Sequence, residues 1–289
     1  MGNLPDNEVR ALMRLVEDEE EQNAKTLKDE LSAVASAEPE RFETLACGQY
    51  PASAPPFVST LLEEIRWRQI GSRLQNLPMD AEGELNLEEG LYLISRFNTP
   101  QLAPENVSAP LDQMAASVKA RLEDALDLNH FTRILSEVVF KAHGFHGASA
   151  QLFNPSQIYL HDVLTLKSGS PISLSAIYIL LGKRLGIPIS GIGLPGHFIV
   201  RIKTWNGEIF LDPHRSGRTL SVRECQAMVF GRGMQWDPQY LQPVNSRYIL
   251  SRTIGNLIYI YNHTRDERRS SFLKSYFEAL QTEQEKTAS

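Results

Sequence analysis

The sequence predicts an α+β fold with a helical region on either side of a small mixed core. Residues 1–143 show apolar residues at helical spacing and no strand-like alternation. Residues 172–185 are apolar almost all round, which is typical of a buried central helix. Two strand-like runs follow, 197–202 and 208–211, and the Asn206-Gly207 pair between them favours a tight hairpin. A buried helix followed by an antiparallel hairpin indicates an α+β core.

The N-terminal helical region is predicted to span residues 1–143. Charged residues fill the gaps between its apolar positions, and the acidic run 17–22 is interpreted as a solvated face. Two stretches with three prolines each, 50–56 and 98–110, are predicted to be connections. Helices are predicted beside them, over 8–46, 57–76, 87–97 and 111–143, the last broken near residues 127–129.

The core is predicted to span residues 144–219, where glycines become frequent. Ser170 is expected to cap the free backbone N–H groups at the start of the buried helix. Pro171 suits the first helical position because no hydrogen bond is lost there. Gly186, with Pro188 just beyond it, is expected to end the helix.

The C-terminal region, residues 220–289, is predicted to return to helix, over 220–235 and 245–281. The second stretch looks like a helical hairpin of the tetratricopeptide type, interrupted near Asp266. One such unit cannot form a solenoid, which needs about three repeats, so no repeat architecture is predicted. The polar tail from residue 281 is expected to be frayed.

The composition excludes several classes of protein. The 289 residues carry 29 basic and 35 acidic side chains, a net charge of −6 with no local basic patch, so no nucleic-acid partner is expected. Two cysteines are too few for a disulfide-rich secreted scaffold. The longest apolar run, 172–181, is shorter than the roughly 18–20 residues that span a bilayer, and no secretory signal pattern opens the sequence. We therefore expect a cytoplasmic protein without a membrane partner, whose oligomeric state these features do not specify.

The strongest candidate for chemistry lies between the start of the buried helix and the hairpin. A helix N-terminus favours a thiolate, and a His–Asp pair can act beside it as base and orienter, as in Cys-His-Asp catalysis. His197 opens the first strand and Asp212 closes the second, so the hairpin is expected to hold them side by side. These two residues are the candidate base and its orienter.

Several short motifs occur together within residues 134–225. They are Phe145-His-Gly147, Asn154-Pro155, Tyr159-Leu160, Val163-Leu164, Gly169-Ser-Pro-Ile-Ser-Leu174, Tyr178, Gly186, Gly191-Ile-Gly-Leu-Pro-Gly-His-Phe198, Asp212-Pro213 and Gly217. This pattern resembles the SirB-type transglutaminase-like family, an uncharacterised bacterial family that carries tetratricopeptide-type helices at its C-terminus. The resemblance implies a transglutaminase/papain-like core, and its most specific parts are 170–174 and 193–198.

The resemblance also identifies what this core lacks. Counting back from Gly186 to the place where active transglutaminase-like enzymes carry their cysteine ends at Pro171. The two cysteines of the chain, Cys47 and Cys225, lie outside residues 48–224. The resemblance therefore implies a core without its nucleophile. The expected function is that of a non-catalytic regulatory or protein-interaction module with a protein or peptide partner.

An enzymatic alternative stays open. Ser173 or Ser170 could replace the thiol if His197 served as its base. With Asp212 as orienter, such a site would perform acyl transfer or amide hydrolysis. A serine hydroxyl is far less acidic than a thiol, however, and both serines also suit capping or local packing. His197 and Asp212 could equally form a retained structural hydrogen bond.

No metal or cofactor site is predicted. Zinc requires three or four convergent ligands, and the glycine-rich spacing near His143 and His146 does not suit a helical ligand pair. Two further histidines of the core, His161 and His214, lie apart in the sequence. The letters of 191–196 match a dinucleotide fingerprint, but they contain a proline and precede a strand, so no phosphate site at a helix start is expected.

Overall fold

The computed structural model describes residues 4–16, 21–80, 83–122, 127–149, 154–204 and 207–287. The chain divides into two compact units, Met1–Ser72 and Arg73–Ser289. Helices predominate in both units, and the second unit also contains an antiparallel sheet. This mixture of helices and antiparallel strands confirms the predicted α+β class.

The first unit consists of helices whose apolar residues face a common interior. Its helices are α1 (Asp6–Leu15), α2 (Glu21–Ala37), α3 (Pro39–Gln49) and most of α4 (Pro56–Gln75). The helices predicted over 8–46 correspond to α1, α2 and α3. The side chains of the acidic run 17–22 lie outside the described residues. Apolar residues at helical spacing form the interior, among them Val9, Met13, Leu31, Phe42 and Ile65.

The second unit contains the remaining elements. Its helices are α5 (Leu87–Asn98), α6 (Glu105–Lys119), α7 (Leu128–Ser136), α8 (Leu160–Leu166), α9 (Pro171–Leu185), α10 (Val222–Phe230), α11 (Ser246–His263) and α12 (Glu267–Thr287). Its strands are β1 (His146–Gly147), β2 (Ser168–Gly169), β3 (Ile189–Ile192), β4 (Ile199–Thr204), β5 (Gly207–Asp212), β6 (Arg218–Leu220) and β7 (Pro243–Val244). A π-helical turn, Glu137–Ala142, follows α7 directly.

The central feature of this unit is α9 packed against an antiparallel sheet. The described strands of the sheet run in the order β6-β5-β4-β3-β7. Nearly every residue of α9 up to Gly182 is buried, as its apolar composition predicts. The Ser170 side chain accepts the Ser173 N–H at the start of α9, and Gly186 ends it with a φ of 68°. The predicted start, first residue and end of the buried helix are therefore confirmed.

The strands differ from the prediction in position and number. The predicted runs 197–202 and 208–211 correspond to β4 and β5, which are antiparallel neighbours, with Val200 paired to Leu211. Trp205 and Asn206, at the predicted turn, lie outside the described residues. Strands β1, β2, β3, β6 and β7 were not predicted, because each is only two to four residues long and short strands leave little periodic signal.

The predicted connection 98–110 is wrong in its second half, because α6 begins at Glu105 and continues through Pro110. Proline removes one backbone hydrogen bond from a helix interior. The helix persists because Val107, Leu111 and Met114 are all buried on one side of it, and this apolar burial outweighs the lost bond.

At the C-terminal end, α11 and α12 pack on each other as a helical hairpin. Ile254 and Leu257 on α11 and Leu273 and Leu280 on α12 are buried. The predicted pair of helices is therefore present, with α12 longer than predicted. In the part of the chain that the structure describes, no helix has both the length and the apolarity needed to cross a membrane.

Candidate functional site

The predicted His–Asp pair forms at the open end of the β4–β5 hairpin. His197 Nε2 lies 2.9 Å from Asp212 Oδ2. Asp212 is the last residue of β5 and is completely buried, and the His197 side chain is 11% exposed. His197 lies in the turn before β4 instead of opening the strand, and its backbone N–H donates to the Leu194 carbonyl. The pairing predicted from the strand ends is therefore present in the structure.

Further donors surround the Asp212 carboxylate. Its Oδ1 accepts the backbone N–H of His214 at 3.1 Å, and Arg215 Nε lies 3.7 Å from its Oδ2. A buried carboxylate is strongly disfavoured unless hydrogen bonds and positive charge compensate for lost hydration. These donors satisfy Asp212 as an acceptor, and they fix the carboxylate in position to orient the His197 ring.

Arg252, on α11, fixes the turn that carries His197. Its Nη2 donates to the carbonyls of Leu194 and His197, at 2.9 Å each. The guanidinium also lies over the ring of Phe198, 5.6 Å from its centroid. Because both ends of the turn are bound to one rigid group, the backbone of His197 has little freedom to move.

His214 is a second histidine beside the pair. Its ring centroid lies 6.0 Å from that of His197, and its Nε2 lies 2.9 Å from the Ala148 carbonyl oxygen. Burial lowers the pKa of His214, because the charged ring loses hydration. The neutral ring can donate its Nε2 proton to Ala148, so His214 holds the segment after β1 against the hairpin.

The two candidate serines form their hydrogen bonds with groups other than His197. Ser173 Oγ donates to the backbone carbonyls of Gln157 at 3.0 Å and Ile158 at 3.1 Å, as alternatives. Ser170 Oγ lies 2.9 Å from Ser173 Oγ and accepts the Ser173 N–H at 3.3 Å. Among the described residues, neither hydroxyl has His197 as a hydrogen-bond partner. Both serines therefore serve the start of α9 and the segment before it.

An open cleft of about 690 Å³ lies beside His197. The start of α9 forms one wall through Ser170, Pro171 and Ile172, and the turn of Gly196 and His197 forms another. Pro171 is the first residue of α9 and stands at the position expected for the cysteine. The cleft therefore brings His197 and Pro171 to one cavity, whereas Ser173 is not among its lining residues.

Neither cysteine reaches this cleft. Cys225 lies on α10 in an apolar cluster with Ile199, Phe210 and Val229, and it is completely buried. Burial raises the pKa of its thiol to about 11, so the thiolate is scarce at neutral pH. Cys47 is exposed and belongs to the first unit.

The structure also bears on metal and nucleotide binding. Among the described residues, no three His, Cys, Asp or Glu side chains converge in a way that could hold a metal ion. Residues 191–196, which match a dinucleotide fingerprint in letters, run from β3 into the turn before β4 and are not followed by a helix.

Three arginines around the cleft were missed by the sequence analysis: Arg215, Arg232 and Arg252. Arg215 follows β5, Arg232 follows α10, and Arg252 lies within α11. No local pattern links them to the His197 motif, because only the folded chain brings these elements together. The motif itself contains one indirect signal, Gly196, whose φ of 66° favours glycine.

Comparison with known proteins places this geometry in a family. The family model described as Transglutaminase-like superfamily matches residues 105–255, just over half of the chain. The chain belongs to the transglutaminase-like superfamily. The match contains α9, the hairpin and Arg252, and three further lining residues of the cleft, Asn256, Tyr259 and Ile260, follow its end. The finer SirB designation remains a prediction.

The relatives include bacterial and animal proteins. The chain is similar to a UPF0162 protein of Xylella fastidiosa, with 35% identity over 62% of this chain and 66% of the relative. It is also similar to a UPF0162 protein of Vibrio cholerae, with 26% identity over 60% of this chain and 65% of the relative. Mouse F-box only protein 21 is 29% identical over 43% of this chain and 21% of its own length. The chain thus matches about two thirds of these bacterial relatives, and no solved structure matches it significantly.

Proposed function

We propose that this protein is a non-catalytic binding module, in which the transglutaminase-like cleft holds a protein or peptide segment without turnover. The observation that carries the proposal is the position of Pro171. This residue lines the same cleft as His197, at the start of α9, where the chemistry requires a nucleophile. A proline side chain has no atom that can attack a carbonyl group.

The bonding of the two serines supports the same conclusion. A serine becomes nucleophilic only when a base removes its proton, which requires contact at roughly 2.6–3.2 Å. Ser173 Oγ instead donates to main-chain carbonyls, and it lies 2.9 Å from Ser170 Oγ. Reorienting Ser173 toward the cleft would break its hydrogen bonds to the Gln157 and Ile158 carbonyls, of which the Gln157 carbonyl would still accept the Ser170 N–H. The hydroxyls therefore stabilise the helix start and do not act as nucleophiles.

The His197–Asp212 pair has a structural role in this proposal. The hydrogen bond joins the turn before β4 to the end of β5, and it compensates for the burial of a carboxylate. The second ring nitrogen of His197, Nδ1, has no hydrogen-bond partner among the described residues. This nitrogen is available to a group bound in the cleft.

The retained pair is also the observation that favours the alternative, a serine-dependent acyl transferase or amide hydrolase. Activity-based labelling separates the two. Fluorophosphonate and acyl-donor probes are applied to the wild-type protein and to His197→Ala, with a known serine hydrolase as positive control. We expect no labelling of either form. Labelling of the wild type that is lost in His197→Ala would establish the enzymatic alternative, and Ser170→Ala and Ser173→Ala would then locate the nucleophile.

A further inference from the structure

The cleft beside His197 has a positively charged rim. Arg215, Arg232 and Arg252 all line it, and its described lining residues include neither Asp nor Glu. The chain as a whole carries a net charge of −6. Because the surrounding protein is acidic, a concentration of three guanidinium groups at one cavity is a local feature of this cleft and does not follow from the composition.

The Arg232 side chain lies against the turn that carries His197. A Cβ atom at Gly196 would lie 2.4 Å from Arg232 Nη1, so the guanidinium occupies the space that glycine leaves open. Gly196 also has a φ of 66°, which other residues adopt only with strain. Arg232 has no acidic partner among the described residues. Its charge is therefore held at the cleft without being neutralised by the protein.

The other two arginines have different roles. Arg252 is anchored by the carbonyls of Leu194 and His197, so it contributes a fixed charge to the cleft. Arg215 is 56% exposed, and the nearest carboxylate, that of Asp212, is 3.7 Å from its Nε. Asp212 already accepts from His197 and His214, so the guanidinium of Arg215 has donors left for another acceptor.

Amide side chains extend the polar lining beyond the arginines. Asn154, Gln157 and Asn256 line the same cleft, together with Tyr259, which is 54% exposed. Amides can pair with the N–H and C=O groups of an extended main chain, and guanidinium groups bind carboxylates with two parallel hydrogen bonds. A volume of about 690 Å³ admits a short stretch of peptide.

We propose that the cleft binds an acidic peptide segment, whose Asp or Glu carboxylates pair with Arg232 and Arg215 while its main chain contacts the amides. This inference rests on the proposed function and specifies the partner of the same site. It differs from a small-anion site because the amides and Tyr259 lie along the cavity with the arginines.

The test uses three fluorescein-labelled peptides of equal length and the full chain. In the acidic peptide, glutamates alternate with glycine and serine. In the neutral peptide each glutamate is replaced by glutamine, and in the basic peptide by lysine. Fluorescence anisotropy gives the dissociation constants at low and at high sodium chloride. We expect the acidic peptide to bind at least about tenfold more tightly than the neutral one, with the difference reduced at high salt because screening weakens ion pairs.

Charge-removing variants locate the binding. Arg232→Gln and Arg215→Gln are each expected to weaken the acidic peptide about tenfold, in line with the loss of a charge-assisted pair. Arg223→Gln is the matched control, because Arg223 is an exposed arginine of α10 that does not line the cleft. It removes the same charge, so it should leave binding nearly unchanged.

Each outcome assigns or removes the acidic peptide as ligand. Equal binding of the acidic and neutral peptides would overturn the charge preference but leave a peptide-binding cleft. Equal losses in Arg223→Gln and Arg232→Gln would show a long-range charge effect instead of a site. Competition by inorganic phosphate but not by glutarate would assign a phosphate group in place of a carboxylate. Cleavage of the peptides, lost in His197→Ala, would instead contradict the proposed function.

Discussion

The two walls of the cleft differ in how much of the catalytic arrangement they retain. The hairpin wall keeps His197 and Asp212 at hydrogen-bond distance. The helix wall begins with Ser170 and Pro171 and offers no nucleophile at the matching position. The hairpin pair also holds the fold together, since Asp212 is buried and accepts from several groups. The helix wall carries a capping serine and a proline, which stabilise the start of α9. The difference between the two walls indicates that the His197–Asp212 pair is retained because the same two residues also stabilise the fold.

The largest effect is expected at the hairpin wall. Asp212→Ala should lower the free energy of unfolding by about 1–3 kcal/mol, because His197 and the His214 N–H lose a buried acceptor. His197→Ala should lower it within the same range. Urea denaturation measures both. Asp112→Ala is the control, since Asp112 is 65% exposed and its ion pair with Arg184 is expected to contribute less than about 1 kcal/mol. If Asp212→Ala were as stable as Asp112→Ala, the His197–Asp212 pair would have no structural role.

At the helix wall, the effect of Ser170→Ala is expected to be smaller. The variant loses the cap on the Ser173 N–H, which is worth about 1 kcal/mol. Ser170→Gly is the comparison variant, because glycine is nearly as good a cap residue as serine and should restore most of the loss. Thermal unfolding of the two variants measures the difference. If Ser170→Ala leaves the unfolding temperature unchanged, the Ser170 side chain does not stabilise the start of α9.

Gly196→Ala tests the contact between the turn that carries His197 and the arginine rim. Its Cβ would meet the Arg232 guanidinium, and the φ of 66° adds strain of roughly 1–2 kcal/mol. We expect a moderate loss of stability together with weaker binding of the acidic peptide. Gly48→Ala is the control, because Gly48 lies in α3 with open space around it, and alanine there should be neutral or stabilising. Loss of stability with unchanged peptide binding would show that Gly196 does not control the position of Arg232 in the cleft.

The smallest effect concerns pH. Burial lowers the pKa of His214 below its ordinary value of 6.5, so the unfolded chain binds this proton more readily than the folded chain. Stability is therefore complete above about pH 6.5 and declines as the pH falls toward the lower folded pKa. His214→Gln should lose less stability than the wild type between about pH 7.5 and about pH 5.5. If stability falls in parallel with pH in the two proteins, His214 is not the group that causes the loss of stability.

The helix wall was predictable from the sequence in detail, and the hairpin wall in outline. Ser170, Pro171 and Gly186 are local signals of a helix start and end, and the structure places α9 between them. The pairing of His197 with Asp212 followed from the ends of two strand-like runs, although His197 lies in a turn instead of on the strand. These features depend on residues close together in the sequence or on one hairpin.

The arginine rim was not predictable in this way. Arg232 follows α10 and Arg252 lies on α11, so both approach the cleft from other parts of the chain, and a single arginine has no periodic pattern of its own. The helix through Pro110 was missed for a related reason, because burial of one apolar side overrides an unfavourable local residue. Tertiary contacts decided both features.

We propose that the cleft lacks only the nucleophile, so that the His197–Asp212 pair, although structural in this protein, would act as base and orienter for a thiol placed at position 171. The variant Pro171→Cys tests it most directly, with alkylation by iodoacetamide at about pH 6 followed by peptide mass spectrometry. The exposed Cys47 in the same molecule is the internal reference for an ordinary thiol. We predict that the introduced thiol reacts at least about tenfold faster than Cys47 and that adding His197→Ala removes the advantage. Equal rates for the two thiols, or an advantage that survives His197→Ala, would contradict the claim.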